Sequence, residues 1–340
     1  MKILRLFTVL ILSSFTILAF AQTGVNDQKK TDQPKSNTSG NARKPGQSQV
    51  KKGSPRKKNP QNSPDKAMKN FTKGELDKAV TPAKVITDPN EKKATELSSS
   101  GSVKGRQGDY KGAIEDYTQA LNLFKSSNTY MKRGYTYILL ENYPAAINDL
   151  NEALRLDPGS PKVLFSRGVC KFEMQDFNGA GEDLKASLNK DSTNAIAFNY
   201  MAGVCFMNKD FKGALDNYSQ VIKQIPTFPD AYSNRGMMRH YLGDLKGAIE
   251  DYDIALKQKP DNSSAFNNRG AAKLGLNQYK EALEDFNTAI KLKDDYSDAY
   301  NNRGKAKMNL GDKTGACEDW HKSYYLGLED SMQLIIKYCK

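Results

Sequence analysis

The chain reads as an all-α solenoid of seven helical hairpins preceded by a disordered basic segment, and three columns of residues predict it. Counting back 34 residues at a time from Ala316 lands on Ala282, Ala248, Ala214, Ala180 and Ala146, and one step of 33 reaches Ala113. Upstream of the alanines runs a glycine column, Gly101, Gly134, Gly168, Gly236, Gly270 and Gly304, with Ala202 in the fourth place. Four residues after each alanine stands a large side chain: Tyr117, Leu150, Leu184, Tyr218, Tyr252, Phe286 and Trp320. A period in this range marks a tandem array of one supersecondary unit.

Each unit is a pair of helices. An aromatic or leucine precedes the alanine by three residues (Tyr110, Tyr143, Phe177, Phe211, Leu245, Tyr279), broken only by Lys313. A small residue follows the large one by three: Ala120, Ala153, Ser187, Val221, Ala255, Ala289, Ser323. Such spacings lie on one helix face. Small residues fall where two helices approach and large ones fill the space between them. Leu242-Gly243-Asp244 and Leu310-Gly311-Asp312 read as turns within a unit, while Pro158, Pro226 and Pro260 separate units. The units are set at 94–126, 127–160, 161–194, 195–228, 229–262, 263–296 and 297–330. A capping helix over 331–340, carrying Met332, Leu334, Ile335 and Ile336, is expected to cover the last hairpin. The end units depart from the pattern, at Ser100, Lys104 and Lys313, as ends of a solenoid do.

The run Ala231-Tyr232-Ser233-Asn234-Arg235-Gly236, then Leu242-Gly243-Asp244, Gly247-Ala248-Ile249-Glu250-Asp251-Tyr252 and Pro260, resembles the tetratricopeptide repeat. The resemblance covers about Ala94 to Asp330. It implies a right-handed superhelix whose first helices line a concave groove that binds extended peptides, often through asparagines. The matching column is Lys132, Ser166, Tyr200, Asn234, Asn268 and Asn302, with Asn267 and Asn301 beside it. An asparagine amide donates and accepts at once, so it pairs with both groups of a peptide unit without reading sequence. Tyr135 and Phe165, with Met131, Phe172, Phe206 and Met207, also fall on inward or near-inward positions. Two readings stand for these: contact with an amphipathic ligand, or core, since curvature buries part of an inner face. The Lys/Asn/Arg set with which some members of the family clamp chaperone carboxylate tails is not found in register.

Arg133, Arg167, Arg235, Arg269 and Arg303 precede the glycines, and Asp149, Asp183, Asp251, Asp285 and Asp319 stand sixteen residues later. Where Met201 replaces arginine, Asn217 replaces aspartate. This covariation predicts structural pairs inside each hairpin, with the guanidinium fork on the carboxylate. Asp116, opposite Ser100, is the expected unpaired exception. Cys317 and Cys339 lie symmetrically about Leu328, beside Gly327, and are expected to form a disulfide across that turn. Cys170 and Cys205 read as small buried thiols.

No catalytic constellation, cofactor site or metal site is predicted. His240 and His321 lie far apart, with no metal-ligand spacing near either.

Residues 1–21 read as a signal peptide: Lys2 and Arg5, an apolar run from Leu6 to Phe20, then Ala19-Phe20-Ala21. An exported, periplasmic or secreted chain is expected, an uncleaved anchor being the alternative, although the apolar run is below spanning length. Residues 22–93 carry 17 Lys+Arg against 7 Asp+Glu, while 94–340 carry 32 of each, so the excess charge belongs to the linker. The linker is expected to be disordered. Its run Lys51-Lys52-Gly53-Ser54-Pro55-Arg56-Lys57-Lys58 lacks interleaved aromatics for base stacking. No nucleic-acid partner is expected; an anionic envelope surface or no partner at all are the two readings. The functional expectation is a scaffold that binds protein or peptide segments, against a structural spacer tethered by the basic linker. A glycan binder using the inner aromatics stays open.

Overall fold

The computed structural model describes residues 88–340; the expected signal peptide and most of the basic linker lie outside them. The described chain is helical, with no strand. Seven hairpins follow one another: α1 Pro89–Arg106 with α2 Tyr110–Leu123, α3 Ser127–Leu139 with α4 Tyr143–Leu156, and α5 Pro161–Glu173 with α6 Phe177–Lys190. Then come α7 Ala195–Met207 with α8 Phe211–Gln224, and α9 Pro229–Tyr241 with α10 Leu245–Gln258. The last two are α11 Ser263–Gly275 with α12 Tyr279–Leu292 and α13 Ser297–Asn309 with α14 Lys313–Tyr325; α15 Ser331–Tyr338 closes the array. The first helix reaches back to Pro89, behind an Asp88 cap that accepts from the Asn90 N–H.

The turn inside each hairpin explains the recurring Asp-x-x-Gly. Asp109, Asp176, Asp210, Asp244 and Asp312 cap the second helices and accept from the N–H of Gly112, Gly179, Gly213, Gly247 and Gly315 at 2.8–3.0 Å. A Cβ on any of these glycines would fall 2.2–2.3 Å from the capping carboxylate, so the cap and the glycine are selected together. Where Asn142 caps against Ala145, the bond lengthens to 3.3 Å. The turn residue itself is left-handed: Gly108, Gly243 and Gly311 have φ of 84–87°, and Glu141, Gln175, Lys209 and Asn277 occupy the same conformation at 59–67°.

All seven repeat alanines are 0% exposed, and the large column from Tyr117 to Trp320 is buried with them. The glycine column marks where the two helices of a hairpin cross. A Cβ on Gly270 would sit 2.7 Å from the Phe286 ring, and one on Gly304 2.6 Å from the Trp320 indole. Each first helix packs against the second helix of its own hairpin and, from the second hairpin on, against that of the preceding one, and most adjacent first helices also touch. That arrangement lines one face of the solenoid with first helices only.

The cap follows the same logic. Tyr338 lies over Trp320, ring centroids 5.6 Å apart, and Ser331 is buried. Met332, Leu334 and Ile335 are half-buried, but Ile336, expected to cover the last hairpin, is 63% exposed. A single helix on a helical end covers only the side chains of one stripe, and Ile336 falls off it. Cys317 and Cys339 are disulfide-bonded, Cα atoms 5.6 Å apart, tying α15 to α14. Among the described residues no helix is long and apolar enough to cross a membrane.

Candidate functional site: the first-helix face

Behind the first helices lies a set of buried charges. Arg133, Arg167, Arg235, Arg269 and Arg303 each place Nε and Nη2 on the two oxygens of the aspartate sixteen residues on, at 2.6–3.0 Å. Nη1 turns away to the preceding hairpin, reaching Thr118, Asn151, Ser219, Asp253 and Asn287. Each arginine therefore ties two hairpins as well as closing one.

Sequence reasoning missed a second cation. Lys171, Arg239, Lys273 and Lys307, one turn after the arginines, reach Asp183, Asp251, Asp285 and Asp319 at 2.8–3.1 Å. The same twelve-residue offset from the aspartate would have found it. Asp116, read as unpaired, is a correction of the same kind: Lys104 binds it at 2.8 Å and the Ser100 hydroxyl donates at 2.7 Å. Burial pushes the Asp116 carboxyl up, but those two hydrogen bonds outweigh it and hold it low. In the fourth hairpin Met201, Cys205 and Asn217 take these places, and the ion pair is replaced by a weak amide contact to sulfur at 3.8 Å. Burial pushes the Cys205 thiol up to about 11 and raises that of Cys170 further, so neither is a reactive thiolate.

The expected groove residues divide. Tyr135, Phe165 and Tyr200 are not presented to a ligand: they are buried in an apolar core that runs from Leu121 of the first hairpin to Ala231 of the fifth. Phe165 and Phe172 pack edge-on against Tyr200, with centroids 6.1 and 5.5 Å away. Asn234 is also corrected. It is 3% exposed and hydrogen bonds with Tyr218, a buried phenol that requires a partner. Asn301 is held inside as well: its carbonyl accepts from the Trp320 indole at 3.2 Å and its side-chain oxygen from Ser331 at 3.3 Å. Lys132 is buried, on the wall of a cavity between α1 and α3.

Asn268 and Asn302 remain half-open, on the adjacent first helices α11 and α13. Asn302 Nδ2 donates to Asn267 Oδ1 at 3.1 Å, and Asn267 Nδ2 donates to Asn268 Oδ1 at 3.2 Å. Asn267 is the buried hinge of this relay and also hydrogen bonds with Tyr296. The relay consumes one donor of Asn302 and the acceptor of Asn268. It leaves Asn268 Nδ2 and Asn302 Oδ1 unpaired among the described residues, one donor and one acceptor on neighbouring hairpins.

Comparison with known proteins agrees with this architecture. A "Tetratricopeptide repeat" family model matches residues 100–161, and a "TPR repeat" model matches 236–276 and 275–311. Sperm-associated antigen 1 of Rattus norvegicus is 30% identical over 111 residues, 32% of this chain and 12% of that protein. Mitochondrial import receptor subunit TOM70 of Saccharomyces cerevisiae is 31% identical over 125 residues, 35% of this chain and 20% of that one. The chain thus spans a fifth or less of the length of these two relatives. YrrB, described as a TPR protein with an unusual peptide-binding site, superposes with a TM-score of 0.52 at 20% identity, over 55% of this chain and 96% of its own. A tetratricopeptide repeat protein from Parabacteroides merdae superposes with a TM-score of 0.52 at 14% identity, over 73% of this chain and 100% of its own. At these identities the two structures speak to the fold alone. With the repeat matched at both ends of the array and seven hairpins between Pro89 and Tyr325, the chain belongs to the tetratricopeptide repeat family.

Proposed function

We propose that this chain is an exported protein-interaction scaffold that holds extended peptide segments along its first-helix face, chiefly between α11 and α13. One observation carries the reading: Asn268 and Asn302 offer a donor and an acceptor from adjacent hairpins, fixed in place through buried Asn267. A peptide unit presents the complementary pair, and because its groups are backbone the hold is independent of sequence. The buried arginine–aspartate ties behind this face supply the stiffness that keeps the two amides from collapsing on each other.

Display of a random dodecapeptide library on the full chain tests the reading. Enriched peptides should lose about tenfold or more in affinity when Asn268 and Asn302 are both replaced by alanine, at about 0.5–1.5 kcal/mol per lost hydrogen bond. Peptides that bind the double variant equally well would sink it. Export rests on the pattern of residues 1–21 and is tested by N-terminal sequencing of the exported chain, expected to begin at Gln22.

Charge segregation favours a second reading, in which the linker holds the array as a spacer on an anionic surface. All of the excess charge beyond Lys2 and Arg5 sits in residues 22–93. Full chain, and chain lacking residues 22–87, sedimented with phosphatidylglycerol vesicles at rising salt separate the readings: binding that goes with the linker and fades with salt supports tethering.

A further inference from the structure

Four first helices carry an aromatic ring with a cation over it. Arg133, Arg235, Arg269 and Arg303 place their guanidinium carbons 5.2–5.8 Å from the ring centroids of Tyr130, Tyr232, Phe266 and Tyr300, three residues before them. Such a cation satisfies the negative face of the ring. Phe198 holds the same place on α7, but Met201 stands where the arginine would be. The half-buried Phe198 ring has no cation over it among the described residues.

That ring lines a cleft of about 730 Å³ on the edge of the solenoid where one hairpin passes to the next. Its other walls are the last turns of α8 and the loops that precede α7 and α9. Ile225 gives the cleft an apolar side chain where the second, third, fifth and sixth hairpins cap with Asp157, Asp191, Lys259 and Lys293. Gln224 Nε2 donates to the Ser192 carbonyl at 3.1 Å and ties α8 to the loop before α7. Gln224 Oε1, the Gln220 amide and the Thr227 hydroxyl are left without a partner among the described residues. Lys223 is exposed, equally unpaired, and the one charged side chain on the cleft wall.

These features suit one chemistry. Side-chain amides and hydroxyls donate and accept hydrogen bonds, as the hydroxyls of a sugar do. A pyranose also presents a face of C–H bonds, whose slightly positive hydrogens match the negative face of an uncovered ring. The unpaired ammonium on a wall without a carboxylate favours an anionic ligand. The volume lies within the roughly 300–1,000 Å³ of ligand sites. We infer that this cleft binds a pyranose unit of an acidic glycan. Its C–H face lies on Phe198, its hydroxyls meet Gln220 and Gln224, and its carboxylate meets Lys223. The site is independent of the peptide-binding reading above.

Ligand-detected NMR on the full chain tests this with three probes. Methyl glucuronoside carries the ring, the hydroxyls and the carboxylate; methyl glucoside lacks the carboxylate, and cyclohexanecarboxylate lacks the hydroxyls. The glucuronoside should bind several-fold more tightly than either. Phe198→Leu, which keeps an apolar side chain against the core, should weaken both sugars several-fold. Lys223→Met should erase the preference for the glucuronoside and leave the glucoside as it was. No binding of the glucuronoside, binding no tighter than that of either other probe, or binding unchanged by Phe198→Leu each overturn the inference. Should the leucine variant fail to fold, Gln220→Ala at its exposed position carries the test: a several-fold loss supports the site and no change sinks it. The variant with Asn268→Ala and Asn302→Ala should bind the glucuronoside as the unaltered chain does. Loss of the sugar in that variant would move it to the first-helix face and overturn the assignment to this cleft.

Discussion

Arg235 grips Asp251 with a parallel fork, Nε to Oδ2 at 3.0 Å and Nη2 to Oδ1 at 2.7 Å, from side chains 17% and 1% exposed. Arg239 adds a third contact to the same carboxylate at 3.1 Å. Two cations on one buried carboxylate make its removal costly, since both are then left without an anion.

Asp251→Ala should therefore destabilise the array by about 3–5 kcal/mol, the range for breaking a buried pair. Asp116→Ala should cost much less, because its partner Lys104 is more than one-third exposed and water can replace the carboxylate. Asn217→Asp should be destabilising as well: Met201 and Cys205 offer a carboxylate there no cation. Thermal melts of the three variants settle the matter, and equal small shifts would remove the charged ties from the account of stability.

The disulfide gives a local prediction. Cys317 and Cys339 close a loop across a sequence separation of 22. In the chain-entropy model such a link contributes about 3 kcal/mol. Repeats couple only to their neighbours, so reduction should loosen α14 and α15 and leave the first five hairpins as they were. Hydrogen exchange by fragment is the measurement; faster exchange throughout the array would contradict local coupling.

A pH dependence follows from Asp230, in the first turn of α9. It is 2% exposed, its Oδ2 has no hydrogen-bond partner, and Lys259 stands off at 3.8 Å from Oδ1. Burial, with a smaller push from Asp261 and against the pull of Lys259, raises its carboxyl from 3.8 to about 6. A raised folded pKa means that the proton stabilises the fold. The contribution is fully present below about 3.8 and is lost as the pH climbs through about 6. A shift of this size corresponds to about 3 kcal/mol. Asp230→Asn should raise the melting temperature at pH 7.5 and flatten its change between pH 4 and 7. An unchanged pH slope in the variant would assign the dependence to other groups.

The hairpins were legible because every column repeats, and seven copies of one pattern leave the helix faces unambiguous. The concave face was not, and Tyr200 shows why. Positions that line a groove and positions that fill a core share the same helical spacing, so only the closeness of Phe165 and Phe172 decides for burial. Asn234 and Asn268 occupy one column and still differ in exposure. One turn further on, α9 carries Met237 and Met238 where α11 carries Ala271 and Ala272, so less of that face is open. The second cation on Asp183, Asp251, Asp285 and Asp319 is readable from its twelve-residue offset, a spacing that the arginine column alone does not display.

The asparagine column supplies the last prediction, because its members now have opposite expected effects. Asn234→Ala removes the partner of a buried phenol and should lower the melting temperature, at a cost of about 1–3 kcal/mol for a polar group left unsatisfied. Peptide capture at physiological temperature should persist, since the half-open amides lie one and two hairpins away. Asn268→Ala with Asn302→Ala should do the reverse. Both side chains are half-buried and bonded only to one another's relay, so melting should move little while capture of displayed peptides falls at least tenfold. Asn267→Ala is the discriminating control. It removes no group that a peptide would touch, but it frees the two amides it holds and strips Tyr296 of a partner. It should therefore weaken capture and stability together. If Asn267→Ala left capture unchanged while the double variant abolished it, the relay would be incidental and the two amides would act independently. If neither variant affected capture, the ligand would have to lie elsewhere on the array.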